Sequence, residues 1–370
     1  MATWAAANGY DIGPAEGEGK ASNRPVYHLS WYEAMEWAKA RSEREGLTPG
    51  TPLPRYTPRH EVMEMEPAAL MKVSNLIKHY GDVHAVDGVS FSVPRAEVFT
   101  LLGPNGAGKT TTLEILEGIR EADSGEIEVF GQRMRRVDRA TKERIGVLLQ
   151  EGNFEPYLRV REVLTLFASF FRTARSPAAM LKTIALEEKA NAFVKTLSGG
   201  QKQRLAIGVA LINDPELIFL DEPTTGLDPQ ARHNIWSIVS NLTASGKTII
   251  LTTHYMEEAE TLSQTVCIMD HGKVIAEGSP RDLTARLGRD TIIEFAAPED
   301  TLLPTSLPAG CELKRGEGGL VSVKTGDLPS ALARLLDWSR ASGVALAEMA
   351  VRQPNLEDVF LSLTGRRLRT

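Results

Sequence analysis

Cysteine is scarce in this chain: only Cys267 and Cys311 occur among 370 residues. They form no CxxC pair and no disulfide framework, which points to a reducing, cytosolic compartment. Long hydrophobic runs are also missing. The most apolar stretch, Val163 to Phe171 (VLTLFASFF), is flanked by Arg161 and Arg172 and falls far short of the roughly twenty residues a membrane-spanning helix needs. The N-terminal MATWAAANGYDIG has no basic segment and no long apolar core, so no secretory signal is expected. Basic charge is not in excess, with 42 Lys and Arg against 48 Asp and Glu and a formal net charge of -6. Nucleic-acid binding by bulk positive charge is thereby excluded. No internal repeat occurs, and no Asn-Lys-x-Asp guanine motif. The chain does hold 42% hydrophobic and 24% charged residues, enough for a packed core of one large domain with smaller attachments.

The composition shifts along the chain. Residues 1–57 are rich in Gly, Pro and aromatics and end in the proline-dotted run Thr48 to Pro54, and residues 58–70 read as a linker. From Met71, short β-branched runs alternate with helical segments, the pattern of a parallel α/β sheet, and this section is expected to span 71–288. Residues 289–370 form a last section. It holds a strand at Thr291–Phe295, a Gly-rich hairpin at Gly316–Gly319, a helix near Leu328–Ser339, then Asn355–Leu363.

The chemistry concentrates in the middle section. The buried-strand candidate Val98 to Leu102 runs directly into Gly103-Pro104-Asn105-Gly106-Ala107-Gly108-Lys109-Thr110, followed by the helix-like Thr111–Glu117. This is G-x-x-x-x-G-K-[ST] in a strand, turn and helix context. Glycines let the backbone wrap phosphates with its N–H groups pointing inward, and the helix start adds partial positive charge. Lys109 reaches the β- and γ-phosphates and the Thr110 hydroxyl takes a place on Mg²⁺. Taken alone, such a string also arises by chance. A second run, Leu217-Ile218-Phe219-Leu220-Asp221-Glu222, is an apolar strand ending in two acids, at the strand edge where open α/β sheets bind ligands. Asp221 is placed to hold Mg²⁺ and Glu222 to face an attacking water; solvated acids at a strand end are the plainer alternative.

Leu197-Ser198-Gly199-Gly200-Gln201 opens a helix whose Leu205, Gly208, Val209 and Ile212 fall on one face, and its start is a second anion site. On this motif, residues 71 to about 290 resemble the ATP-binding subunit of an ABC transporter. The resemblance implies a P-loop NTPase fold with a helical subdomain, ATP and Mg²⁺ as ligands, and ATP hydrolysis. The phosphate-binding set is then Gly103, Asn105, Gly106, Gly108, Lys109, Thr110 and Thr111. Tyr80 matches the adenine-stacking aromatic, Gln150 a sensor of Mg²⁺ and γ-phosphate, Asp228 a loop linking two sites, and His254 the switch histidine. Glu222 would be the general base, with Lys109 and His254 at the γ-phosphate. Ser198, Gly199, Gly200 and Gln201 of one subunit close on the nucleotide held by another, so a homodimer holding two ATP is expected.

Asn355-Leu356-Glu357-Asp358-Val359-Phe360-Leu361-Ser362-Leu363-Thr364-Gly365 looks like the closing motif of daunorubicin-type drug exporters, whose ATPase and permease are separate chains. It also reads simply as an amphipathic helix, with Leu356, Val359, Phe360 and Leu363 on one face, packing the small last section. The branch implies export of a drug-like small molecule or lipid through a separate permease, facing about Gln150 to Arg172. The chain would then sit in the cytoplasm against the inner face of the membrane, touching the membrane only through that permease and touching no nucleic acid. Residues 1–57, through the stretch Asn23 to Pro49, resemble a truncated fragment of the formylglycine-generating (sulfatase-modifying) enzyme fold, without cysteine and too short to act; they read as a remnant of a gene fusion or a misplaced start site. A soluble ABC ATPase serving ribosomes or DNA is the alternative. Such proteins join two cassettes or insert a long coiled coil, whereas about forty-seven residues separate Gln150 from Ser198 here.

Overall fold

Strands β3 (Val98–Leu102), β7 (Leu217–Asp221) and β8 (Thr248–Thr253) are buried at every residue, as central strands covered on both faces must be. They belong to a computed structural model that describes residues 69–134, 137–148, 154–288, 290–298, 300–304, 307–346 and 349–365. Backbone contacts divide the chain into Met1–Glu64 and Met65–Thr370, and only the second unit is described. The sulfatase-modifying-like segment and nearly all of the linker therefore lie outside the described residues.

The first strands are β1 (Met71–Tyr80) and β2 (Val83–Val93), and after β3 come β4 (Ser124–Val129), β5 (Gln132–Met134) and β6 (Ile145–Leu148). Beyond β8 come β9 (Thr265–Asp270) and β10 (Lys273–Gly278). The main sheet has the order β10-β9-β3-β8-β7-β6. All its pairings are parallel except β9 with β10. Alternation along β7 feeds two cores: Ile218 and Leu220 join one apolar cluster, Leu217 and Phe219 the other. The expected run of parallel units does not begin at Met71, however. β1 and β2 form an antiparallel hairpin within a separate sheet of order β2-β1-β4-β5. The turn at Gly81, with φ +58°, joins them directly, and a tight turn leaves no room for a crossover helix.

Helix α1 (Lys109–Leu116) follows β3. Three helices, α2 (Val160–Ala168), α3 (Pro177–Thr183) and α4 (Gly199–Ala210), pack through Val163, Leu164, Met180, Leu205 and Ile207. Of the expected face on α4, Leu205 and Gly208 are buried, and Ile212 just beyond it is buried as well. α5 (Pro229–Ala244) and α6 (Met256–Leu262) flank β8, and α7 (Pro280–Ala285) follows β10. Among the described residues no helix is long and apolar enough to cross a membrane.

The last section forms its own antiparallel sheet from β11 (Thr291–Ala296), β12 (Glu312–Arg315), β13 (Leu320–Thr325) and β14 (Ala350–Arg352), in the order β12-β13-β11-β14. Helix α8 (Leu328–Ser342) covers it, burying Ala331 and Leu335 against Phe295, Val321 and Val323. The final helix, α9 (Leu356–Thr364), does not stay with this sheet. Its Leu356, Val359 and Phe360 pack with Leu102, Ala259, Val266, Ile268 and Leu283 of the first part of the chain, while Leu363, expected on the same face, is 49% exposed. The Leu356 amide donates to Glu260 at 2.6 Å, and Arg352 ties Glu294 of β11 to Asp358 of α9.

Candidate functional site

The loop after β3 is built on close approaches. A Cβ on Gly103 would stand 2.2 Å from the Met269 carbonyl, and one on Gly108, at φ +96°, 2.2 Å from that of Ala85. Side chains cannot be fitted at either position. Lys109 is buried directly behind the loop, where its Nζ donates to the carbonyls of Gly103 (2.8 Å) and Pro104 (3.1 Å). Burial pushes its pKa down, while Glu222 and Asp221 pull it back up. Thr110 Oγ1 donates to Asp221 Oδ1 at 3.4 Å, and Thr252 Oγ1 donates to the same oxygen. Burial holds the Asp221 carboxyl above its usual range, against the Thr252 hydrogen bond.

Glu222 carries the local irregularity. It adopts φ +44°, a left-handed conformation that costs a non-glycine residue about 1–3 kcal/mol. Its amide is held by the Thr252 carbonyl (3.2 Å) and hydroxyl (3.0 Å). The side chain lies between the start of α1 and the end of β8: Oε1 is 3.6 Å from Lys109 Nζ, and Oε2 is 3.3 Å from His254 Nδ1. Thr225 Oγ1 donates to Oε2 at 3.1 Å. Lys109, Thr110, Asp221, Glu222 and His254 thus form one cluster.

A cleft of about 760 Å³ opens beside it, lined by Tyr80, Asn105, Gly106, Gly108, Lys109, Thr110, Thr111 and Glu222. Tyr80 is 41% exposed, with Lys78 Nζ and the Arg120 guanidinium each 5.5 Å from its ring centre. Asp82, His84 and His271 also line the cleft; nothing in the local sequence marks them, because the hairpin and the β9–β10 turn bring them there. Ser198, Gly199, Gly200, Gln201 and Asp228 are not among its lining residues. Ser198 Oγ accepts from the Gln201 amide (3.3 Å) and Gln201 Oε1 from the Ser198 amide (3.0 Å), a reciprocal cap on α4. Asp228 caps α5 by accepting from the Ala231 amide at 2.8 Å. A Cβ on Gly200 would stand 2.7 Å from Ala231 Cβ, so the two motifs pack on each other. Gln150 lies outside the described residues.

Two buried acids escaped the motif reading. Glu117, just past α1, has its pKa pushed up to about 8 by burial first, then by Asp221 and Glu114. Glu258 is fully buried, and its Oε1 accepts from Thr224 Oγ1 (2.9 Å) and Trp236 Nε1 (3.0 Å), joining the loop after β7 to α5 and α6. Neither sits in a recognisable string, and only burial singles them out.

The donor set suits a nucleotide with its metal. Thr110 and Asp221 offer hard oxygen ligands such as Mg²⁺ takes, and Gly106, at φ +81° with open space where a Cβ would stand, leaves the loop backbone accessible from the cleft. Residues 86–225 match the family model described as "ABC transporter". Residues 291–355 match that of the "ABC transporter domain-containing protein-like, C-terminal domain". The Nod factor export ATP-binding protein I of Ralstonia nicotianae is 42% identical over 309 residues, 81% of this chain and 95% of that protein. The chain belongs to the ABC transporter family. The protein of the same name from Burkholderia pseudomallei is 45% identical to this ABC subunit over 297 residues, 79% of this chain and 95% of the relative. A solved ATP-binding cassette, dimeric in a post-hydrolysis state with ADP and phosphate, aligns at a TM-score of 0.52 and 29% identity, covering 56% of this chain and 98% of that one. This ABC chain is a P-loop ATPase of α/β fold.

Proposed function

We propose that this ABC ATPase works as a homodimer holding two ATP with Mg²⁺, driving a separate membrane permease that exports a drug-like small molecule or lipid. The observation that carries the dimer is a separation: the cleft holds Lys109, Glu222 and Tyr80, while the Ser198–Gln201 helix start is not among its lining residues. A second copy would supply that helix start. Ser198 Oγ, though it accepts from the Gln201 amide, keeps its own proton to donate to a phosphate oxygen.

Thr110, Asp221 and Gln150 would hold Mg²⁺, whose charge offsets the negative charge on the phosphoryl oxygens. Lys109 and the amides around Gly103, Asn105, Gly106, Gly108 and Thr111 would position the phosphates, and Tyr80 would stack on the base. Glu222 would take or polarise the proton of the attacking water. Its place between Lys109 and His254 supports this role, since His254 can report γ-phosphate contact to the same carboxylate. Asp228, packed through α5 on the Ser198 helix, would link the two sites.

Export is supported by the relatives' names and by the closing motif Asn355–Gly365, which also supports the daunorubicin-type branch. Tyr157, Leu166 and Phe170 are exposed apolar side chains within the stretch expected to face the permease, and such a patch suits burial by a partner. That partner would hold the chain on the cytoplasmic face of the membrane. The decisive experiment measures ATPase rate and mass together by light scattering: turnover should require an ATP-dependent dimer. Full-speed hydrolysis by a strict monomer would overturn the proposal.

A further inference from the structure

One polar cluster is left unused by the ATPase chemistry. It lies on the hairpin of β1 and β2, where His79 stands opposite His84, Lys78 opposite Val86 and Ile77 opposite Asp87. Ala85 is the extra residue, and the register shifts there. In an unbroken strand, residues 84 and 87 would point to opposite faces. The bulge puts His79, His84 and Asp87 on the same face.

One ring nitrogen from each histidine and one Asp87 carboxylate oxygen lie within 4.8 Å of one another. The two imidazole rings are 3.9 Å apart, centre to centre, and tilted by 37°. His79 Nε2 is shut off from solvent with no hydrogen-bond partner, an unfavourable state for a polar nitrogen. The Asp87 amide donates to the Gly272 carbonyl at 2.8 Å, and Asp87 Oδ2 is 3.2 Å from Lys273 Nζ. The backbone of Asp87 is thus anchored, and its carboxylate is held by Lys273.

We propose that His79, His84 and Asp87 bind one divalent transition-metal ion of the Zn²⁺ class. Two imidazole nitrogens and one carboxylate oxygen form the three-ligand set of an open zinc site, with water completing the tetrahedron. Mg²⁺ and Ca²⁺ prefer all-oxygen shells and are disfavoured. Ligand atoms on a tetrahedral zinc, at about 2.0–2.2 Å from it, stand roughly 3.4 Å apart. The cluster lies within 4.8 Å, so side-chain rotation alone brings it to that spacing without changing the strand register. The ion would staple together the two strands that carry the turn beside Tyr80, and His84 also lines the nucleotide cleft.

The test is a zinc titration of the full chain, freed of metal by chelator and dialysis, in competition with a chromophoric chelator and without nucleotide. The expected result is one equivalent bound with Kd below about 10 µM, weakened at least tenfold in both His84→Ala and Asp87→Asn. His84 is exposed, so its truncation should leave the fold intact, and an unchanged melting temperature of the metal-free variant checks this. Zinc binding weaker than that limit, or equal in the wild type and both variants, would overturn the site.

Discussion

The two helix starts proposed to meet phosphate, those of α1 and α4, are built in opposite ways. α4 begins with a complete cap: the Ser198 and Gln201 side chains each satisfy the other's backbone amide. α1 begins at Gly108, a left-handed glycine with no side-chain cap, has no acid in its first turn and no base in its last, and ends at the buried Glu117. The Glu117 carboxyl, its pKa pushed up to about 8, brings no favourable positive charge to this end of the helix dipole. By local rules α1 is therefore the poorer helix, and it is held by burial of Leu113, Ile115 and Leu116. The difference suits two tasks. α1 has no side-chain cap on its first amides, whereas the α4 cap satisfies the Ser198 and Gln201 amides and leaves those of Gly199 and Gly200, with the Ser198 hydroxyl proton, for a ligand.

Several substitutions sharpen or break this contrast. The largest effect is expected from Glu222→Gln, which should cut turnover about 10²–10⁴-fold while leaving ATP bound. Gel filtration with ATP should then show a trapped dimer, and ordinary turnover would mean another group activates the water. Next, Lys109→Ala should weaken ATP binding to the monomer by roughly 10–100-fold, the loss of charge-assisted hydrogen bonds, as read by fluorescent-nucleotide titration. Ser198→Ala should leave that monomer titration unchanged and reduce only the ATP-dependent dimer and its turnover. Equal losses of monomer affinity in the two variants would erase the distinction between the helix starts.

The smallest effect concerns the far end of α1. Glu117 has a folded pKa of about 8 against an ordinary 4.5, so between those values the folded state holds a proton that the unfolded state has released. Stability from this group is complete below about pH 4.5, declines as pH rises towards 8, and then levels off. Glu117→Gln should remove that decline. Its advantage in melting temperature should be near zero at pH 5, grow to a few degrees by pH 8, and grow no further. A constant offset across pH would show that Glu117 acts through packing alone.

How much of this was legible in advance follows the same division between local and assembled features. Gly103 to Thr110, Asp221 and the Ser198 motif are contiguous strings whose chemistry depends on neighbours in sequence, and they could be read directly. Glu222 between Lys109 and His254 could not, because the start of α1 and the ends of β7 and β8 converge only after the parallel sheet forms. The antiparallel hairpin was hidden because β-branched runs look alike in either sheet type, and only the turn at Gly81 distinguishes them. The bulge at Ala85 puts His84 out of phase with Asp87, so the two give no period-two signal. Glu117 and Glu258 look like any helical acid until burial is known.

The return of α9 to the first sheet has a consequence for biosynthesis. Leu102, Ile268 and Leu283 are shared with Leu356 and Phe360, so an emerging ATPase portion carries a bare apolar patch until residues 356–360 have been made. The nucleotide-handling part thus reaches its final packing only when α9 closes over it like a clasp.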